Sequence, residues 1–502
     1  MNFISNLIFR VCGSRIPGLA FSVDVWTFAM NQKRSRALRF DILEHRKMMT
    51  AGDFDIAFST DGVQTLDVGG PAAHLADSAV QADGKIVAVG NLVAAGSKNA
   101  QLMVARFNPD GTVDSTFGKN GVANYASFSS ASNIFGTHIS VLPNNQILVS
   151  GRSSLDVTAT AAKSVLLRIN PDATLDSTFA SKGAFSTTEY SINNFMVGSD
   201  GKIIVNGMKN VGTKFAVLRL TSQGSLDTTF DKDGVVLLET GVTGTLGQGY
   251  SAVSRIRSDG KIIVAGNLGL DTPGADFAVA RYNTDGSLDT KFGGVGWKQY
   301  DIGLKDLASG LTIEEDGKII VGGQVNSGEA SSTYAIIKIL KTGAVDTAFG
   351  VNGVRRVPLK PTSSNLDTMV GELQRQKDGK LIYSQFFYSS LVDRSKSSGA
   401  VIGRLNKDGS VDTTFGKAGY LYTSTANSGK FFIDINLQPS GELLATGFEY
   451  SEDTKLGSVI IARFDKDFIN TYPVITTNGS GPTAAITIEE NTTFVTTVQA
   501  VD

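Results

Sequence analysis

The stretch RYNTDGSLDTKFGGVG at residues 281–296 decides the fold, because its skeleton returns, as in RLNKDGSVDTTFGKAG at 404–419. Its D-x-x-F tetrad recurs as Asp55–Phe58, Asp114–Phe117, Asp176–Phe179, Asp227–Phe230, Asp289–Phe292, Asp346–Phe349 and Asp412–Phe415. Successive Phe stand 59, 62, 51, 62, 57 and 66 residues apart, a period of the kind built from one supersecondary unit per repeat. Between tetrads lie a run such as DGKIIVAG (259–266) and a run such as FAVARYN (277–283), each found seven times with variations.

Each unit reads as four short strands. KIIVAGN is rich in β-branched residues and follows Asp-Gly, a strong hairpin signal. That dipeptide is Asp83-Gly84, Asp200-Gly201, Asp259-Gly260, Asp316-Gly317 and Asp378-Gly379. Asn144-Asn145 and Ser440-Gly441 replace it in the other two units. One strand precedes the turn (SAVQA, 78–82), a third follows KIIVAGN (FAVARY, 277–282), and a fourth follows the tetrad (GVVLLE, 234–239). No stretch of the repeat sustains a 3.6-residue period. Four-stranded antiparallel units at fixed spacing predict a β-propeller, and seven units predict seven blades. The repeat opens on a lone fourth strand (62–68) and ends after a third (459–464), so the N-terminal strand is expected to complete the last blade and close the ring.

Composition agrees. Of 502 residues 41% are hydrophobic, enough for a large core, and 55 are Gly, about 11% against an ordinary ~7%. With 46 Lys+Arg against 48 Asp+Glu, the chain has no basic field for nucleic acid. No run approaches the ~18–20 apolar residues of a membrane span. The single Cys12 rules out an intrachain disulfide framework and a multi-cysteine zinc site.

The repeated pattern R-[FYIL]-N-x-D-G-S-[LV]-D-x-T-F-G-x-x-G resembles the bacterial delta-60 repeat family over roughly residues 52–468. That family is regarded as a β-propeller of unknown function found in large surface or secreted proteins. Three departures occur: Ala173 replaces the turn Gly, Lys338 replaces the Arg, and the last unit lacks a following tetrad. The tail YPVITTNGSGPTAAITIEENTTFVTTVQAVD (472–502) resembles the opening strands of a cadherin-like domain. That resemblance implies calcium ligands at Glu490 and Asp502, in a site left incomplete by a truncated β-sandwich stub. Residues 1–48 form a basic, poorly defined leader with no clear signal peptide, residues 49–468 the propeller, and 469–502 a linker with the stub.

The tetrad Phe is read as an anchor between blades rather than a binding stripe. The Arg eight residues before the tetrad Asp (Arg106, Arg168, Arg219, Arg281, Arg404; Arg463 has no following Asp) is read as its ion-pair partner. N-x-D-G-x-x-D invites a calcium reading at Asn108, Asp110 and Asp114, yet Gln223 and Thr342 interrupt it, and an Asx turn accounts for both pattern and lapses. No phosphate loop, G-x-S-x-G or H-E-x-x-H is present, and His45, His74 and His138 make no metal-pair spacing.

One column does not behave as core. Seven residues before the second turn residue stand Asp77, His138, Asn194, Val253, Gly310, Glu372 and Asp434. They open the innermost strands and are expected to ring one mouth of the central channel, where Asp77, His138, Asn194, Glu372 and Asp434 are candidate ligand-binding residues. The reading that follows is a non-enzymatic recognition or spacer module of an exported bacterial surface or adhesion protein. It is extracellular or at the cell surface, has an extracellular protein or glycan ligand, and carries Ca2+ in the cadherin-like region only. The competing class is a polysaccharide-acting lyase or hydrolase with its site at the channel mouth.

Overall fold

A computed structural model describes residues 54–464 apart from a few short stretches and several blade-edge segments, the longest being 126–132, 154–162, 239–252, 269–274, 327–331, 359–366, 389–398, 425–429 and 451–456. Its described strands form seven four-stranded antiparallel sheets, six in simple sequential order and the seventh completed by the N-terminal strand. The innermost strands, in blade order one to seven, are Ala72–Val80, Ile134–Val141, Tyr190–Val197, Val253–Ile256, Lys305–Ile313, Asp367–Arg375 and Lys430–Leu437. The expected all-β seven-bladed propeller is present. The β-sandwich stub, with Glu490 and Asp502, lies outside the described residues, as does the leader.

Burial explains why each strand has its sequence. Second and third strands are buried on both faces, as in Ile262–Leu268 and Asp276–Tyr282, so they read as continuous apolar runs. Fourth strands alternate, as in Val235–Leu238, because one face meets solvent. The core lies between blades: Val87, Val89, Leu102 and Val104 of blade one pack on Ile139, Val149, Val165 and Leu167 of blade two.

The ring closes as expected. Val63–Leu66 pairs antiparallel with the third strand of blade seven, Val63 opposite Ala462 and Leu66 opposite Val459. Leu444, Val459 and Ile461 then share a core with Leu75, Ile86 and Met103 of blade one. The apparent lack of a tetrad after the last unit is corrected here. The first tetrad serves it, since Arg463 Nε donates to Asp55 Oδ2 at 2.7 Å and its guanidinium lies 4.8 Å from the Phe58 ring centre.

The tetrads are fasteners between blades. Each tetrad Phe is at most 1% exposed. In blade one the Arg106 guanidinium sits 4.6 Å over Phe117, donates from Nε to Asp114 Oδ2 at 2.7 Å, and reaches Pro171 O in the next blade at 2.7 Å. The tetrad Asp carries a second cation that the Arg spacing alone did not reveal, the Lys of the D-G-K turn: Lys85 to Asp114 at 2.8 Å, Lys380 to Asp412 at 2.8 Å. Blade two, which has Asn-Asn-Gln instead, uses Gln146 Nε2 to Asp176 at 2.8 Å. Blade five departs: Lys338 turns to Glu314 at 2.8 Å and leaves Asp346 to Lys318.

The EF-like calcium reading of the turns does not hold. Asp110 Oδ1 accepts from Thr112 N (3.0 Å) and Thr112 Oγ1 (2.6 Å), an Asx turn, while Asp114 is occupied by its cations.

Candidate functional site

A β-bulge stands directly ahead of most of the column residues. The inner-strand register shifts between Leu75 and Asp77, Gly136 and His138, Ile192 and Asn194, Ala308 and Gly310, and Phe432 and Asp434. A bulge bends its strand and re-aims the next side chain, a device common beside active sites. The repeated Gly of the second strand permits it. A Cβ on Gly90 would lie 1.8 Å from His74 O, and one on Gly207 1.7 Å from Ser191 O. In blade six Gln385 stands at that position; there the shift spans Val370 to Leu373, and Glu372 lies inside it.

Closure brings three column residues from three blades together. His138 Nδ1 forms an ion pair with Asp77 Oδ2, which also accepts from Ile139 N at 2.9 Å. Asn436 Nδ2 spans Asp77 Oδ1 (3.0 Å) and Asp434 Oδ2 (2.6 Å), joining the first blade to the last. Glu372 joins through Gln374, whose Nε2 donates to Glu372 Oε2 at 2.8 Å and to Asn436 Oδ1 at 2.9 Å. Asn194 is buried at the same bulge of blade three with its Oδ1 unpartnered, and no described hydrogen bond ties it to this network. Its neighbour Phe195 meets the His138 ring edge-on, centres 5.0 Å apart. Val253 and Gly310 bring no polar side chain.

Asn436 and Gln374 were missed from sequence. Each stands two residues beyond a column residue, on the same strand face, so a second polar column was the available signal.

The two buried aspartates are pushed in opposite directions. Burial raises the Asp77 carboxyl, but the His138 charge and hydrogen bonds from His138, Ile139 and Asn436 outweigh it, so Asp77 sits below the usual carboxylate range. Burial pulls His138 down, yet Asp77 and then Glu372 hold it above its ordinary value, with Arg255 opposing. Burial, then the charges of Glu372 and Asp77, push Asp434 well up. The array therefore sets a carboxylate biased toward ionisation beside an imidazolium-favouring histidine and an acid biased toward keeping its proton. His138 keeps 22% of its side chain exposed, while Asp77 and Asp434 are buried.

A second acidic group lies where blade four passes into blade five. Carboxylate oxygens of Asp276, Asp301 and Asp306 all fall within 4.8 Å of one another. Burial, with the neighbouring charges, pushes Asp306 up to about 6 despite amide hydrogen bonds from Ile302 and Gly303. The expectation that metal chemistry is confined to the cadherin-like region is therefore corrected: the propeller itself holds a set of oxygen donors suited to a hard cation.

The fold places the chain among known propellers. The family model described as "domain of unknown function (DUF5122) beta-propeller" matches residues 81–117, 142–179, 198–230, 257–292, 314–349 and 376–415. Six repeats match that model. Each match ends on a tetrad Phe, and the seventh unit, split between the two ends of the ring, offers no continuous segment. A comparison with curated proteins gives no match. Among solved structures the chain is similar to a catalytically inactive virginiamycin B lyase from Staphylococcus aureus with quinupristin (12% identity, TM-score 0.39, covering 80% of this chain and 98% of that one). It is similar to a polysaccharide lyase, an ulvan lyase bound to a GlcA(1-4)Rha3S unit (8%, TM-score 0.42, 83% and 96%). It is also similar to a protein of unknown function from Dyadobacter fermentans (14%, TM-score 0.39, 80% and 100%).

The expectation of a non-enzymatic recognition, spacer or adhesion module is set aside. The propeller itself holds converging acids at Asp276, Asp301 and Asp306. Among the described residues no helix is long and apolar enough to cross a membrane.

Proposed function

We propose that the propeller is an enzyme that cleaves glycosidic bonds, by elimination or hydrolysis, with its site at the channel mouth. One observation carries this reading: His138, Asp77 and Asp434, from three blades, form one hydrogen-bonded array whose members are pushed in opposite directions from their ordinary pKa values. Titratable neighbours separated in this way mark acid and base roles. Asp77 fixes the imidazole through Nδ1 and leaves Nε2 to take or give a proton. Asp434 is the proton-holding acid, and Glu372 supplies the negative field that keeps it protonated. Asn194, whose Oδ1 has no partner, offers an amide group matched to a sugar hydroxyl, while Gln374 and Asn436 hold the acids in place. A glycan substrate accords with an extracellular or cell-surface location, and membership of the delta-60 repeat family and a cadherin-like continuation belong to the same proposal.

The test is an assay of the purified chain on uronate-containing and neutral polysaccharides, reading new reducing ends and the ultraviolet absorbance of a new C=C bond. Cleavage that falls on the order of 10²-fold or more in His138→Ala and Asp434→Asn is the expected result. The second signal separates elimination from hydrolysis. Cleavage unchanged in both variants, or no turnover on any of the polysaccharides, contradicts the reading.

A further inference from the structure

We propose that Asp276, Asp301 and Asp306 form a Ca2+ site that fastens blade four to blade five, independently of the channel-mouth reading. Asp276 opens the third strand of blade four (Asp276–Tyr282), Asp301 directly follows its fourth strand (Trp297–Tyr300), and Asp306 lies on the inner strand of blade five. The crossover folds around Asp306. Its Oδ2 accepts from Ile302 N at 2.7 Å and Gly303 N at 3.1 Å, and its own N–H donates to Ala275 O at 2.6 Å.

Its other oxygen is the second observation. Asp306 is fully buried, and its Oδ1 has no hydrogen-bond partner. A buried carboxylate oxygen left without a donor is costly unless something satisfies it. Beside it stand two more carboxylates, all three offering oxygens within 4.8 Å, about the span of two ligands on opposite sides of one Ca2+. Among the described residues no ion pair joins a cationic side chain to any of the three. Arg356, the nearby cation of blade five, donates to Ile302 O instead. Asp276 is held by an amide, accepting from Gln299 Nε2. Three acids and an orphaned oxygen, with neutral groups holding them in place, are a hard-cation donor set; Asp301, the exposed member, gives the ion its route in.

The experiment uses the full chain, stripped with a chelator and titrated with CaCl2 near pH 7.5. Calorimetry is expected to show saturable binding at or below the millimolar range, and Tm is expected to rise by roughly 3 °C at ~100-fold excess over Kd. Asp306→Asn and, separately, Asp276→Asn remove both signals. Asp306→Asn without calcium melts no lower than stripped wild type, since it deletes an unsatisfied buried charge, so loss of binding is not loss of folding. His138→Ala leaves both signals intact, which separates this site from the channel mouth. No heat and no Tm shift in wild type overturn the proposal, as does wild-type binding by Asp306→Asn. A Mg2+ response equal to or larger than that of Ca2+ overturns the choice of ion.

Discussion

His138 and Asp77 are each shifted by the other, and the signs give a pH window. His138 has its folded pKa above the unfolded 6.5, so its stabilising contribution is present in full below 6.5 and is lost as pH rises through the folded value. Asp77 has its folded pKa below 3.8, so its contribution is present above 3.8 and is lost as pH falls through the folded value. Asp77→Asn should therefore cost most stability between about pH 4 and 6.5 and progressively less at higher pH. Urea midpoints across that range check this, and a cost independent of pH would refute it. Counting back from the hairpin turn was enough to find Asp77, His138 and Asp434, because a repeat puts equivalent positions at one height in the ring. Counting could not find Asp276, Asp301 and Asp306. They occupy unrelated positions of their repeats and meet only because one blade's edge folds over the next blade's inner strand.

The fastening turn explains why the repeat has the residues it has, and its lapses are controls supplied by the chain itself. In blade four Asp289 takes both Arg281 (2.8 Å) and Lys261, with Arg281 and Asp289 each 4% exposed. In blade five Asp346 has only Lys318, itself 30% exposed. Asp289→Ala strands a buried Arg and should cost about 3–5 kcal/mol. Asp346→Ala should cost only about 0–1 kcal/mol. Chemical denaturation of the two variants decides, and equal costs would refute the fastener account. Where five other turns have Gly, Ala173 holds φ 71°, in the left-handed region. Ala173→Gly should then stabilise the chain by about 1 kcal/mol, read as a higher urea midpoint; no gain would show that the turn carries no strain. The Arg–Asp spacing was legible in sequence. The Lys was not singled out, because it reaches the tetrad Asp from 28 to 32 residues away, a distance that only sheet pairing shortens.

Closure of the whole ring does two things at one seam. It gives Arg463 the first tetrad of the chain, and it sets Asp434 and Asn436 of blade seven against Asp77 of blade one. The strand half of that closure was legible from the phase of the repeat. The tetrad half was not, since Asp55 stands 408 residues from its partner. Asp55→Ala should lower stability by about 2 kcal/mol, although it lies far outside the last repeat in sequence, and an unchanged urea midpoint would argue against the shared blade. The claim on which the functional account turns is that this closed ring builds a coupled acid–base array at its mouth. The chain has three histidines, so imidazole NMR can follow each one against pH. The account predicts that His138 titrates above 6.5, apart from the half-buried His74 below it, and falls when Asp77 is replaced by Asn. A His138 that titrates at or below 6.5 and ignores that replacement would contradict it.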